Sequence, residues 1–241
     1  MSDAELERLI LGQITKPTAR DQQSSIGPSQ IGECPYCLGV ELAKSLPEMY
    51  RVHDADDFGF TAWRGTAIHH YIEQTFDIPG ALHEQRFEVF DLEGYGRISG
   101  SCDLLYPPYI VDWKAQGKYS YDLFKLYGPS TKYRVQQHLY AYGARKKDHP
   151  IDRVCIASLP QTSNNVQDIR FWYEDYNEAL ALAALDRLET IWEYVRDGEL
   201  QALPSELKKT PVPGEKPQQP NDICYQCDRK GRIKVDLLQA A

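Results

Sequence analysis

Residues 61–76 place Trp63, Ala67, Ile68, Tyr71, Ile72 and Phe76 at helical spacing, an apolar stripe on an otherwise polar segment. After residue 84 the period changes. Residues 84–92 alternate loosely, the turn signal Glu93-Gly94-Tyr95-Gly96 follows, and residues 97–105 and 109–115 read as two further strands separated by Pro107-Pro108. This predicts a helix followed by a three-stranded meander. Helical spacing returns over residues 131–147, with Val135, Leu139, Tyr142 and Gly143 on the packed side. Residues 154–159 and 169–173 read as two more strands, and the Ala- and Leu-rich run 176–196 as a long helix closed by Gly198. A helix over residues 34–45, ended by Pro47, precedes them all. The interleaving of helices and strands predicts an α/β fold.

The flanks lack this periodicity. Residues 1–33 open with a short amphipathic segment and then turn polar, as an arm would. Residues 204–220 are rich in proline among lysines and glutamines, which predicts a linker or a strap over the surface. The expected organisation is an arm over 1–33, a core over 34–203, and the strap with a cysteine-bearing segment over 204–241. No internal repeat and no phosphate-binding GxxxxGK[ST] loop occurs, so nothing suggests a fused ATPase motor.

Composition changes this picture little. Of 241 residues, 42% are hydrophobic and 26% charged, which suits one domain with appendages. No apolar run approaches the roughly 18 residues of a membrane span, so no membrane partner is expected and a cytoplasmic location is the default. A net charge of −8 argues against non-specific coating of nucleic acid, although bound cations at a metal site would offset clustered acids. The basic clusters Arg145-Lys146-Lys147 and Arg229-Lys230-Gly231-Arg232 read first as solvated surface.

Chemistry concentrates in two places. Cys34-Pro35-Tyr36-Cys37 and Cys224-Tyr225-Gln226-Cys227 are CxxC pairs, which together read as a metal or cluster site before disulfides. Cys102 and Cys155 sit singly in apolar strands as small core residues. The second place is the strand bearing Asp112-Trp113-Lys114, where alternation puts Asp112 and Lys114 on one face. Asp103 lies on the preceding strand. Two carboxylates that meet can hold a divalent cation, and a lysine beside them can stabilise anionic charge. His69, on the preceding helix, adds an imidazole, although His70 competes for that role on periodicity alone. Glu73, one turn beyond His69, would support it or be merely a solvated acid, and Glu84, at the start of the meander, is a weaker candidate for a further acid near the metals. Gln136 and Tyr140, four apart on one helix face, would contact substrate or brace the site, or simply pack the helix onto the sheet. Tyr119, Tyr121, Phe124 and Tyr127 would stack bases or fill the core.

The ordered set Gly65-x-x-x-His69, Gly100-x-x-Asp103, Asp112-x-Lys114 and Gln136-x-x-x-Tyr140 resembles the RecB-like branch of the PD-(D/E)xK nuclease superfamily. Each motif alone is common. All four in order over residues 65–140 make a specific signal. The resemblance implies a restriction-endonuclease-like core, a mixed central sheet flanked by helices. It implies a Mg2+- or Mn2+-dependent deoxyribonuclease, exonuclease more than endonuclease, acting on single-stranded DNA or DNA ends. His69, Asp103 and Asp112 map to the metal ligands and Lys114 to the catalytic lysine. Iron–sulfur members, including CRISPR-associated RecB-like exonucleases, join N- and C-terminal cysteines around a 4Fe-4S cluster. Here Cys34, Cys37, Cys224 and Cys227 would do so, with two cysteines before the motifs and two after rather than one and three. A zinc ion bound by four thiolates is the alternative. The relatives' habits leave open a helicase, a recombination or CRISPR-like complex, or an oligomer as partner. The rival reading is a DNA-end-binding adaptor that keeps the fold without cutting.

Overall fold

The computed structural model describes residues 3–14, 25–53, 60–207 and 223–238. Part of the expected arm, residues 1–2 and 15–24, and most of the proline-rich strap, within 208–222, lie outside them. The described chain begins with α1 (Asp3–Ile14), the one-turn helix α2 (Pro28–Ile31), α3 (Pro35–Ala43) and the short strand β1 (Tyr50–His53). Helix α4 (Phe60–Thr75) leads into the meander β2 (Leu82–Leu92), β3 (Gly96–Tyr106) and β4 (Tyr109–Gln116). Helices α5 (Lys118–Tyr127) and α6 (Thr131–Arg145) carry the chain to β5 (Arg153–Pro160), and β6 (Arg170–Asp175), α7 (Glu178–Arg196) and β7 (Lys234–Leu237) follow. No described helix is long and apolar enough to cross a membrane.

The central sheet runs β2-β3-β4-β5-β6, with β4 and β5 parallel and the other neighbours antiparallel. It is the mixed sheet expected. A parallel pair needs a long crossover, which α5 and α6 supply. One sheet face is covered by α6, where Tyr140, Ala141 and Ala144 pack on Phe87, Cys102, Leu105, Ile110 and Val154. Gly143 lets α6 lie close on β2, because a Cβ there would come within 2.8 Å of Phe87 Cβ.

On the other face α4 covers only a corner, through Ile72 and the partly buried Ile68 against Leu104, Val111 and Trp113. The expected apolar stripe is therefore mostly wrong as a buried face: Trp63, Ala67, Tyr71 and Phe76 are exposed. Two of those rings find aromatic neighbours instead, Trp63 stacked on Phe60 and Phe76 edge-on to Trp113. Helix α5 was not expected as a helix. It buries Tyr121 and Phe124 and leaves Tyr119 and Tyr127 exposed.

The largest apolar cluster lies between α3 and α7, where Leu38, Val40 and Leu42 meet Leu188, Ile191, Trp192 and Val195. The same cluster takes in Cys34, Cys37, Cys227 and Val235. Strand β7 pairs antiparallel with β1, Tyr50 opposite Leu237, so a segment from late in the chain completes a layer begun early in it. Cys102 and Cys155 are buried core residues, as expected.

Replacing Gly143 with valine should push α6 off β2 at Phe87 and cost about 1–3 kcal/mol of stability. A urea midpoint equal to the wild type would contradict this close packing.

Candidate active site

The register of β3 against β4 ends at Leu104 opposite Val111, and beyond it the two strands part. Asp103 stands at the fork. Its Oδ2 accepts the Trp113 main-chain N–H at 2.7 Å, so a side chain takes over where the ladder stops. Its Oδ1 faces His69 Nδ1 of α4 at 3.2 Å. Burial opposes protonation of His69, but the hydrogen bond and charge of Asp103 outweigh it and hold the imidazole above its ordinary pKa.

Asp112 and Lys114 project together toward α6. Asp112 is only 2% exposed. Lys114 Nζ lies 2.7 Å from Asp112 Oδ2 and 3.1 Å from Gln136 Oε1, while Gln136 Nε2 donates to Asp112 Oδ1 at 3.1 Å. The amide of Gln136 thus joins carboxylate and ammonium in a three-membered network. The ammonium also sits 4.7 Å from the centroid of the Tyr133 ring. The Lys114 ammonium is the partner of the buried Asp112 Oδ2 and compensates its charge. Burial pushes the Asp112 carboxyl up to about 6 against the pull of Lys114. For Lys114, burial favours the neutral form, and the adjacent carboxylate overrides it to keep the ammonium charged.

No protein-family model matches this chain, and no curated protein matches it. Solved structures do. An alkaline exonuclease (LHK-Exo) from Laribacter hongkongensis aligns over 75% of this chain and 91% of its own, at 12% identity and a TM-score of 0.51. The same exonuclease in complex with dAMP aligns over the same shares at 13% identity, again with a TM-score of 0.51. The chain has the restriction-endonuclease-like fold.

Within that fold the structure distinguishes residues that periodicity could not. His69 faces Asp103, whereas His70 is exposed and bonded to Gln74. Glu73 pairs with His70, away from His69. Tyr140 is buried against the sheet, and its hydroxyl would lie 3.1 Å from a Cβ added at Gly100. Gly100 therefore admits the Tyr140 ring, while Gly65 has open space around it and no such packing demand. The structure brings together His69 with Asp103, and Asp112 with Lys114 and Gln136, as two adjoining groups. Glu84 lies opposite Asp103, between the pairs His83–Leu104 and Gln85–Cys102, with a φ of 48°. That left-handed backbone is unusual outside glycine and takes residue 84 out of the regular ladder at the fork.

Tyr133 was missed by sequence reasoning, though its spacing of three residues before Gln136 on α6 was a usable signal. A cavity of about 350 Å³ opens on the opposite side of β4, lined by Trp113, Tyr109, Phe171 and Tyr173, and Asp112 and Lys114 do not reach it. The basic cluster 145–147 is engaged in the fold: Arg145 donates to the Ile151 carbonyl and Lys147 to the Arg86 carbonyl.

At the second place singled out by the sequence, the four cysteines of the two CxxC pairs converge, with their sulfurs all within 4.8 Å of one another.

Gln136→Leu removes a donor from Asp112 and an acceptor from Lys114 at once, and should cost about 1–3 kcal/mol. Chemical denaturation at neutral pH measures this; an unchanged midpoint would show that the amide does not support the pair.

Proposed function

We propose that this protein is a Mg2+- or Mn2+-dependent deoxyribonuclease that hydrolyses phosphodiester bonds, working from DNA ends on single-stranded or frayed DNA. The observation that carries the reading is the buried Asp112–Lys114–Gln136 network beside the His69–Asp103 pair at the fork of the sheet. A buried ion pair adds little net stability, because desolvation consumes most of its Coulombic gain. Placing one at a strand fork next to a second carboxylate and an imidazole is understandable as chemistry.

The donor set suits a hard divalent cation. Asp112 brings a buried carboxylate whose charge Lys114 offsets, and Asp103 and His69, which face one another at 3.2 Å, would add an oxygen and a nitrogen. When bound, the cation would neutralise phosphate charge and lower the pKa of water. The protein's own part follows from its residues. His69, Asp103 and Asp112 would hold the ion. Lys114, kept charged by Asp112, offers its ammonium to phosphate oxygens as negative charge builds during displacement. Gln136 fixes the lysine's position, so it does not reorganise as charge develops. Water forms the new P–O bond while one ester P–O bond breaks. An adaptor could lose any of these groups without penalty, and all of them are present.

Two outcomes test the reading. Lys114→Ala and Asp112→Ala should each lower cleavage of end-labelled DNA by at least about 10²–10³-fold while the circular-dichroism spectrum is kept. Wild-type cleavage by either variant would refute the mechanism. Linear and circular substrates run side by side distinguish end-dependent from internal cutting.

The pH dependence has a definite sign. Protonated Asp112 cannot serve as a ligand, so at limiting Mn2+ activity should fall as pH drops through about 6. Added Mn2+ competes with the proton and should move this limb to lower pH. An acid limb insensitive to Mn2+ concentration would remove Asp112 from the ligand set.

A further inference from the structure

We infer that Cys34, Cys37, Cys224 and Cys227 bind one tetrahedral zinc ion, and not the iron–sulfur cluster that the family resemblance implies. The argument is independent of whether the protein cuts DNA. The sulfurs stand 3.7 Å apart for Cys34 and Cys227, and 3.5 Å apart for Cys37 with Cys224 and Cys37 with Cys227. Four thiolates about 2.3 Å from a shared central ion lie about 3.8 Å from one another, the edge of a tetrahedron. The observed spacing is close to that edge. In a 4Fe-4S cube each cysteine binds its own iron at a separate corner, with sulfides between the irons, so the four thiolates cannot touch.

The surroundings agree with a single small ion. Cys34, Cys37 and Cys227 are buried in the apolar cluster that also holds Ile31, Tyr36 and Leu38, all of them almost fully enclosed. Eight inorganic atoms between the sulfurs would force α3 away from the C-terminal segment, yet other bonds hold the two together. Tyr36 Oη donates to the Ile233 carbonyl at 2.7 Å, and the Arg232 guanidinium lies 3.8 Å from the centre of the Tyr36 ring. The Cys227 main-chain N–H points at Cys224 Sγ at 3.5 Å, the kind of donor that stabilises a bound thiolate. Four thiolates around one zinc carry a surplus negative charge. Arg187, which donates to the carbonyls of Ile31 and Glu33, sits next to Cys34 and offsets part of it. The two-plus-two division of the cysteines has the same logic: each CxxC supplies one edge of the tetrahedron.

The experiment uses the full chain, purified without oxygen and without added metal, as wild type and as Lys114→Ala. Zinc, iron and acid-labile sulfide are measured and the visible spectrum is recorded. The inference expects one zinc per chain, no sulfide and a colourless protein in both forms. Lys114→Ala should lose cleavage with its zinc unchanged, which keeps this result separate from the nuclease reading. Iron with matching sulfide and a broad visible band would overturn the inference, as would a protein that fails to take up zinc after chelation and reduction. Cys224→Ser should lose zinc, whereas Cys102→Ser should keep it. Should the serine variant fail to fold, cobalt substituted into the wild type decides the geometry. Intense ligand-field bands of a tetrahedral thiolate site support it, and the weak spectrum of an octahedral ion refutes it.

Discussion

Asp112 and Lys114 are two charges on one strand, the first buried and the second largely so, and both directed at the same helix. Much of the sheet's geometry accommodates that fact. The parallel pairing of β4 with β5 flanks the pair on one side, and the parting of β3 from β4 opens the other. Asp103 fills the opening by accepting the Trp113 N–H, so the fork leaves that amide satisfied. Gln136 reaches down from α6 to both charges. Stability must come from elsewhere, since a buried ion pair contributes little of it. The apolar layers under α6 and between α3 and α7 supply that support. The molecule thus separates what holds it together from what gives it chemistry.

Much of this was legible in the residues, and the failures have physical causes. The strands of the meander and helix α6 follow from hydrophobic period because each buries one face on a well-formed layer. Helix α4 misled for the opposite reason. Its apolar residues recur at the right interval, but it caps only a corner of the sheet, and periodicity cannot report how much surface a partner offers. Helix α5 was hidden by its four aromatic residues, of which two go inward and two outward. Strands β1 and β7 are four residues each, too short for alternation to declare itself, and they exist only because they meet across the chain.

At the site, residue types and order were readable, while direction was not. Adjacent histidines on a helix are separated by about 100°, so knowing which faces inward requires knowing where the sheet lies. His69 is chosen because Asp103 is there to meet it. Tyr140 shows the converse. It shares a helix face with Gln136, yet four residues along the axis carry it past the charged network onto Gly100, where it closes the core. The close packing of Tyr140 over Gly100 ties two of the motifs together by shape alone.

The cysteine centre joins residues 34 and 37 to residues 224 and 227, and β7 closes on β1 beside it. These cysteine partners stand 187 to 193 residues apart along the chain. Without the last of them, α3 and α7 lack the segment that carries Cys227 and Val235 into their shared cluster. The strands of the central sheet all lie between the two CxxC pairs. The clasp therefore adds contacts of long sequence separation to a sheet whose own pairings are all more local.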